Sequence, residues 1–112
     1  MPNSVTIDEL ETLIRFRSDV QIIDVRKRPA YDDDSAVVAG AVWRDPFEVA
    51  AWAGGLDKSR PVICYCVHGH QVSQSAASQL AETGFDAYYM RGGMDAWKDA
   101  AAALDAKPAE AT

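Results

Sequence analysis

Four residues in the stretch V-I-C-Y-C-V-H-G-H-Q-V could do chemistry: Cys64, Cys66, His68 and His70. A thiolate is a strong nucleophile, so a suitably placed cysteine fits covalent catalysis. The C-x-C-x-H-x-H spacing also invites a metal reading. Zinc ligands, however, come as well-separated pairs, and an extended strand spreads these four over roughly 20 Å at about 3.3 Å per residue. No metal and no other cofactor is therefore expected. Cys64 lies two residues before Cys66, on the same face of one strand, and reads as a small buried hydrophobe. An i,i+2 pair on a strand has poor disulfide geometry, which argues against a resolving thiol. His68 and His70 read either as side chains that attract anions when protonated or as plain solvent-exposed loop residues.

The surrounding pattern says how Cys66 is held. Thr6 and Glu9 form a capping box ahead of Leu10, Leu13 and Ile14, which predicts a helix from Ile7 to Phe16. After a turn at Ser18-Asp19, V-Q-I-I-D-V reads as a strand buried on both sides. Pro29 and Asp32-Asp33-Asp34 read as a solvated surface segment. A short strand is expected around Ala41 to Trp43. Asp45, Pro46 and Glu48 then start a helix lined by Phe47, Val49, Ala50 and Ala53. V-I-C-Y-C is a strand, Ser73 is expected to cap the following helix, and Gly84 to end it. F-D-A-Y-Y-M is a further strand, Gly92-Gly93 a turn, and Met94 begins a last helix carrying Trp97. Trp43, Trp52 and Trp97 read as core. Strands separated by helices of about ten residues imply an α/β fold, a small parallel sheet flanked by helices on both faces.

The 112 residues suit one domain, 1–112, with the tail from about 105 expected to fray. A composition 48% hydrophobic and 25% charged is that of a globular protein. Eleven basic against seventeen acidic residues give a charge of −6, which disfavours nucleic acid or an anionic membrane as partner. No apolar run approaches the ~18 residues that span a bilayer. The start lacks a basic and then continuously apolar leader, so no secretory signal is expected and the cytoplasm is the expected compartment.

In parallel sheets the site lies beyond the carboxyl ends of the strands. Cys66 falls there, between a strand and the start of a helix, where unpaired backbone N–H groups form a nest that favours an anion. No Asp, Glu, Lys or Arg occurs from Pro61 through Ala81, so fixed dipoles must do the stabilising. The amides of Val67, His68, Gly69, His70, Gln71, Val72 and Ser73 are the expected cradle, with Gly69 supplying an unusual φ. Arg44 and Arg91 each follow a strand; Arg91 is the one expected to steer substrate, while Arg26 reads as a structural charge pair with Asp24 or another carboxylate.

Asp24-Val25-Arg26, Ala30-Tyr31, Gly40-Ala41, the cysteine loop, Gly84-Phe85 and R-G-G-M-D-A-W at Arg91 to Trp97 stand in the order found in rhodanese domains. The chain resembles that family over nearly its whole length. The resemblance implies a single-domain, thiosulfate sulfurtransferase-like enzyme whose Cys66 takes a sulfane sulfur from thiosulfate or a persulfide. Cys66 carries it as a persulfide and passes it to cyanide, a thiol or a protein acceptor. Two departures stand out. Counted from Cys66 to Ser73, the loop is one residue longer than usual for these sulfurtransferases, and Ala36-Val37 replaces the family's glycine-histidine. Longer loops resemble the related phosphatase and arsenate-reductase branch, but Val72 stands where that branch needs an arginine to bind phosphate bidentately. Two rival readings stay open: a non-enzymatic persulfide carrier or sensor acting on a partner protein, and an oxyanion enzyme motivated by loop length alone.

Overall fold

The chain follows the order β1 (Asn3–Val5), α1 (Ile7–Phe16), β2 (Gln21–Asp24), α2 (Arg28–Asp32), β3 (Ala36–Val38), β4 (Val42–Trp43), α3 (Val49–Trp52), β5 (Val62–Tyr65), α4 (Gln71–Glu82), β6 (Ala87–Met90), α5 (Gly93–Asp99) and β7 (Leu104–Ala106). The computed structural model describes residues 3–17 and 19–107. The Ser18 half of the expected first turn and the end of the tail, 108–112, lie outside them.

Five strands form one sheet in the order β1-β6-β5-β2-β4, every neighbouring pair parallel. β5 is central. Side chains alternate across a strand, and the alternation sorts the core into two layers. Ile22, Ile63 and Tyr65 face one layer with Leu10 of α1 and Met94 and Trp97 of α5. Ile23, Val62 and Cys64 face the other with Val49 of α3 and Ala76 and Leu80 of α4. Both faces are therefore covered, which is why Ile22 and Ile23 of β2 and all of β5 except the Tyr65 hydroxyl are apolar. The parallel arrangement puts the carboxyl ends of β2, β4, β5 and β6 on one edge of the sheet.

α1 spans the predicted residues, with both capping-box bonds formed: Glu9 N–H to Thr6 Oγ1 at 3.1 Å and Thr6 N–H to Glu9 Oε1 at 3.0 Å. Other elements depart from expectation. The stretch 36–43 holds two short strands, and the first leaves the main sheet: β3 pairs antiparallel with β7. That pairing holds residues 104–106, which overlap the start of the tail expected to fray, and Lys107 N–H extends it to the Ser35 carbonyl. The segment at Pro29 is the short helix α2, anchored by the buried Tyr31. α3 begins only at Val49, because the Asp45 carboxylate accepts from Phe47 N–H at 2.9 Å in an Asx turn. Phe47 is consequently 74% exposed rather than packed.

The most consequential difference is at α4. It starts at Gln71 with His70 as N-cap, and Ser73 sits inside the first turn. Ser73 is therefore not the cap, and its hydroxyl lies against Cys66 Sγ instead. The end-point of the sequence count, Ser73, thus lies within α4, and the residues before the helix are Cys66 to His70.

Candidate active site

Cys66 follows the last residue of the central strand, so its position is set by hydrogen bonds on both sides of β5. Val25 N–H donates to Tyr65 O at 2.9 Å from the β2 side. On the other side, the turn after β6 takes hold of the loop itself: Met94 N–H donates to Cys66 O at 2.9 Å and Asp95 N–H to Val67 O at 3.0 Å. Two glycines make this approach feasible. A Cβ on Gly93 would stand 2.5 Å from Cys66 O, and one on Gly69 would stand 2.6 Å from Gly92 N. Both residues also have positive φ, +62° and +71°, a region that costs other residues strain.

With its carbonyls bound outward, the loop leaves its amides free. Among the described residues, no protein acceptor takes a hydrogen bond from the N–H groups of Val67 through Ser73. Unpaired amides at the start of a twelve-residue helix favour an anion. Cys66 is 5% exposed and lines a cleft of about 250 Å³. Val67, His68, His70, Gln71 and Val72 line it from the loop, and Arg26, Lys27 and Ala30 from across. Among the described residues, no carboxylate lines that cleft. Beneath the sulfur, the Ser73 hydroxyl lies 3.0 Å from Cys66 Sγ. Cys64 is different: burial in the α4-side core, with Cys66 nearby, pushes its thiol up to about 12, which favours the neutral form.

A rhodanese-like domain pattern matches residues 6–100 of the chain. The chain belongs to the rhodanese-like domain family. This rhodanese is 35% identical over 83 residues to the thiosulfate sulfurtransferase GlpE of Coxiella burnetii, covering 73% of this chain and 75% of that one. It is 33% identical over 97 residues to the protein of the same name from Shewanella oneidensis, covering 86% and 92%. A solved rhodanese-like domain protein from Staphylococcus aureus superposes with a TM-score of 0.79 at 26% identity, over 95% of this chain and 99% of that one. The chain is an enzyme of the rhodanese type.

The expected site residues of this rhodanese divide by position. Val67, His68, His70, Gln71 and Val72 line the cleft; Gly69 packs against the β6–α5 turn; Ser73 is buried under the sulfur. His68 Nδ1 pairs with Asp95 Oδ2 at 3.0 Å on the exposed rim, and the rings of His68 and His70 lie 6.1 Å apart. Arg91 does not join them. Its Nε donates to Ser4 Oγ at 2.8 Å, toward β1, because β6 lies between β5 and that edge strand. Arg44 is likewise turned aside, donating to Trp43 O.

Arg26 borders the cleft, but its fork is already committed. It donates to Asp24 Oδ2 at 2.7 Å, Asp34 Oδ2 at 2.8 Å and Ala36 O at 3.1 Å. Burial works against its charge, but Asp24 outweighs it and raises the pKa. Asp34 was expected in a solvated run; instead it joins Arg26 to Lys98, whose Nζ is 2.7 Å away. Desolvation works to raise its carboxyl, but Lys98, the Ala36 N–H and Arg26 prevail and hold it at about 2. The cleft's uncommitted cation is Lys27, which has no acidic partner among the described residues. Sequence reading missed it although it directly follows Arg26 at the end of a strand. The strand-end rule that singled out Arg44 and Arg91 applies equally to Lys27.

Proposed function

We propose that this protein moves a sulfane sulfur from thiosulfate or a persulfide to a thiophilic acceptor, cyanide or a thiol, through a persulfide on Cys66. In the first step the Cys66 thiolate attacks the outer sulfur of thiosulfate, forming the new S–S bond as sulfite departs with the electron pair of the old one. In the second, the acceptor attacks the carried sulfur and the pair returns to Sγ. One observation carries the reading: Cys66 follows the central strand in a loop whose amides, Val67 to Ser73, lack protein acceptors among the described residues, beside a cleft that no described carboxylate lines. Both the thiolate and the anionic persulfide need such a setting. The sulfurtransferase relatives support it. Both cysteines are free, which suits the reducing cytoplasm as its proposed compartment.

Thiosulfate should add one sulfur, about 32 Da, to Cys66, removable by cyanide or dithiothreitol, as covalent catalysis requires. Cys66→Ser should lose turnover while keeping a wild-type circular dichroism spectrum. An unchanged mass with the thiol shown free would overturn the proposal. A persulfide that forms but is passed neither to cyanide nor to small thiols would instead favour the carrier or sensor reading. Arsenate and aryl phosphates should give no turnover, because Val72 offers no bidentate donor.

A further inference from the structure

We propose that the Ser73 hydroxyl is a catalytic group for the release of sulfur, stabilising Cys66 Sγ as it regains negative charge; this rests on the sulfur-transfer reading above. Ser73 is fully buried, and Cys66 Sγ, 3.0 Å from its Oγ, is its only partner among the described residues. Apolar packing alone would suit alanine here, as at the neighbouring buried Ala76 and Ala77. A buried hydroxyl is costly unless bonded, so this one ties its own hydrogen bond to the state of the sulfur.

The two half-reactions use that bond differently. During loading, Sγ gives its electron pair to the incoming sulfur and loses charge, so a donor on Sγ gains nothing as the barrier is climbed. During unloading, the bond from Sγ to the carried sulfur breaks and the pair returns to Sγ. An anionic sulfur has no proton to offer, so the Ser73 O–H becomes the donor, in a charge-assisted bond that strengthens toward the transition state. Ser73 does not line the cleft, so a sulfur carried there lies away from the hydroxyl, within reach of the loop amides. The hydroxyl thus serves the leaving group and the amides serve the cargo.

Ping-pong kinetics with thiosulfate and cyanide separate the steps, since kcat/KM for thiosulfate reports loading and kcat/KM for cyanide reports unloading. At a pH where loading has reached its plateau, Ser73→Ala should lower the cyanide value about tenfold to a hundredfold, the effect of one charge-assisted hydrogen bond. The thiosulfate value should stay within about threefold. Intact mass in the steady state should show more of the variant as persulfide than of the wild type. Ser73→Thr, which keeps the hydroxyl, should restore unloading. Equal loss in both constants, no change in either, or a folded Thr variant that loads normally but unloads like Ala overturns the proposal. Should the Ala variant be destabilised, the same two constants measured for it and the wild type at a lower temperature, where it is folded, carry the same expectations. A wild-type protein that takes up no sulfur defeats the underlying sulfur-transfer reading, before any variant is made.

Discussion

Two adjacent cations show how neighbouring residues acquire different roles. Arg26 is almost wholly buried with its fork on Asp24, Asp34 and Ala36 O, and is structural. Removing one partner of such a pair leaves an uncompensated buried charge, which costs more than the pair itself contributes. Lys27 is exposed, lines the cleft and lacks a counter-ion among the described residues, so its charge is available to an anion. The chain's net charge of −6 repels anionic donors in general, which makes one local cation count for more. Lys27→Gln should lower kcat/KM for thiosulfate about three- to tenfold at low salt, with the deficit shrinking as salt is added. The value for dithiothreitol, an uncharged acceptor, should stay near wild type. A deficit that is the same for both substrates would assign Lys27 to the fold.

At the scale of elements, the cysteine loop is a shared structure of β5, α4 and the β6–α5 turn. The loop and the first turn of α4 supply the free amides, and the turn after β6 takes the carbonyls of Cys66 and Val67 through Met94 and Asp95 N–H. This division works only if backbone meets backbone, which is why glycine stands at Gly69 and Gly93. Gly93→Ala places a methyl 2.5 Å from Cys66 O at a φ of +62°. It should cost about 1–3 kcal/mol of stability and displace the loop. Thermal denaturation should show the lower Tm, and turnover measured well below it should still be reduced. Full activity in the folded variant would mean that the turn does not set the loop's geometry.

Over the whole molecule, Asp34 ties the edge of the sheet to the far end of the fold. Its carboxylate joins Arg26 beyond β2, the Ala36 N–H at β3 and Lys98 of α5. A carboxyl held at about 2, below its ordinary value near 4, favours the folded state wherever it is ionised in both states. That contribution is fully present above about pH 4 and is lost as pH falls toward about 2, as protons bind the unfolded chain first. Acid titration of stability should therefore show a decline across this window, and Asp34→Asn should flatten it while lowering stability at pH 7. An unaltered acid limb in the variant would remove Asp34 from the account.

What was legible in the residues was whatever local rules govern. The α1 capping box, the buried strand around Ile22 and Ile23, and a cysteine between a strand and a helix all follow from propensity, period and capping. The Arg26–Asp24 pair was legible for the same reason, since its partners lie two residues apart. Contacts between distant segments were not. β3 left the main sheet because β7, from the tail, offered it a partner. Arg91 was drawn to Ser4 because β1 pairs with β6, and Asp34 joined Arg26 and Lys98 across the chain. Ser73 has the side chain of a helix cap, yet the helix starts at Gln71 and the Ser73 hydroxyl lies against the sulfur of Cys66. Local chemistry chooses the nucleophile; only packing decides which groups stand close enough to act on it, because hydrogen bonds and charges work over a few ångströms that sequence distance does not measure.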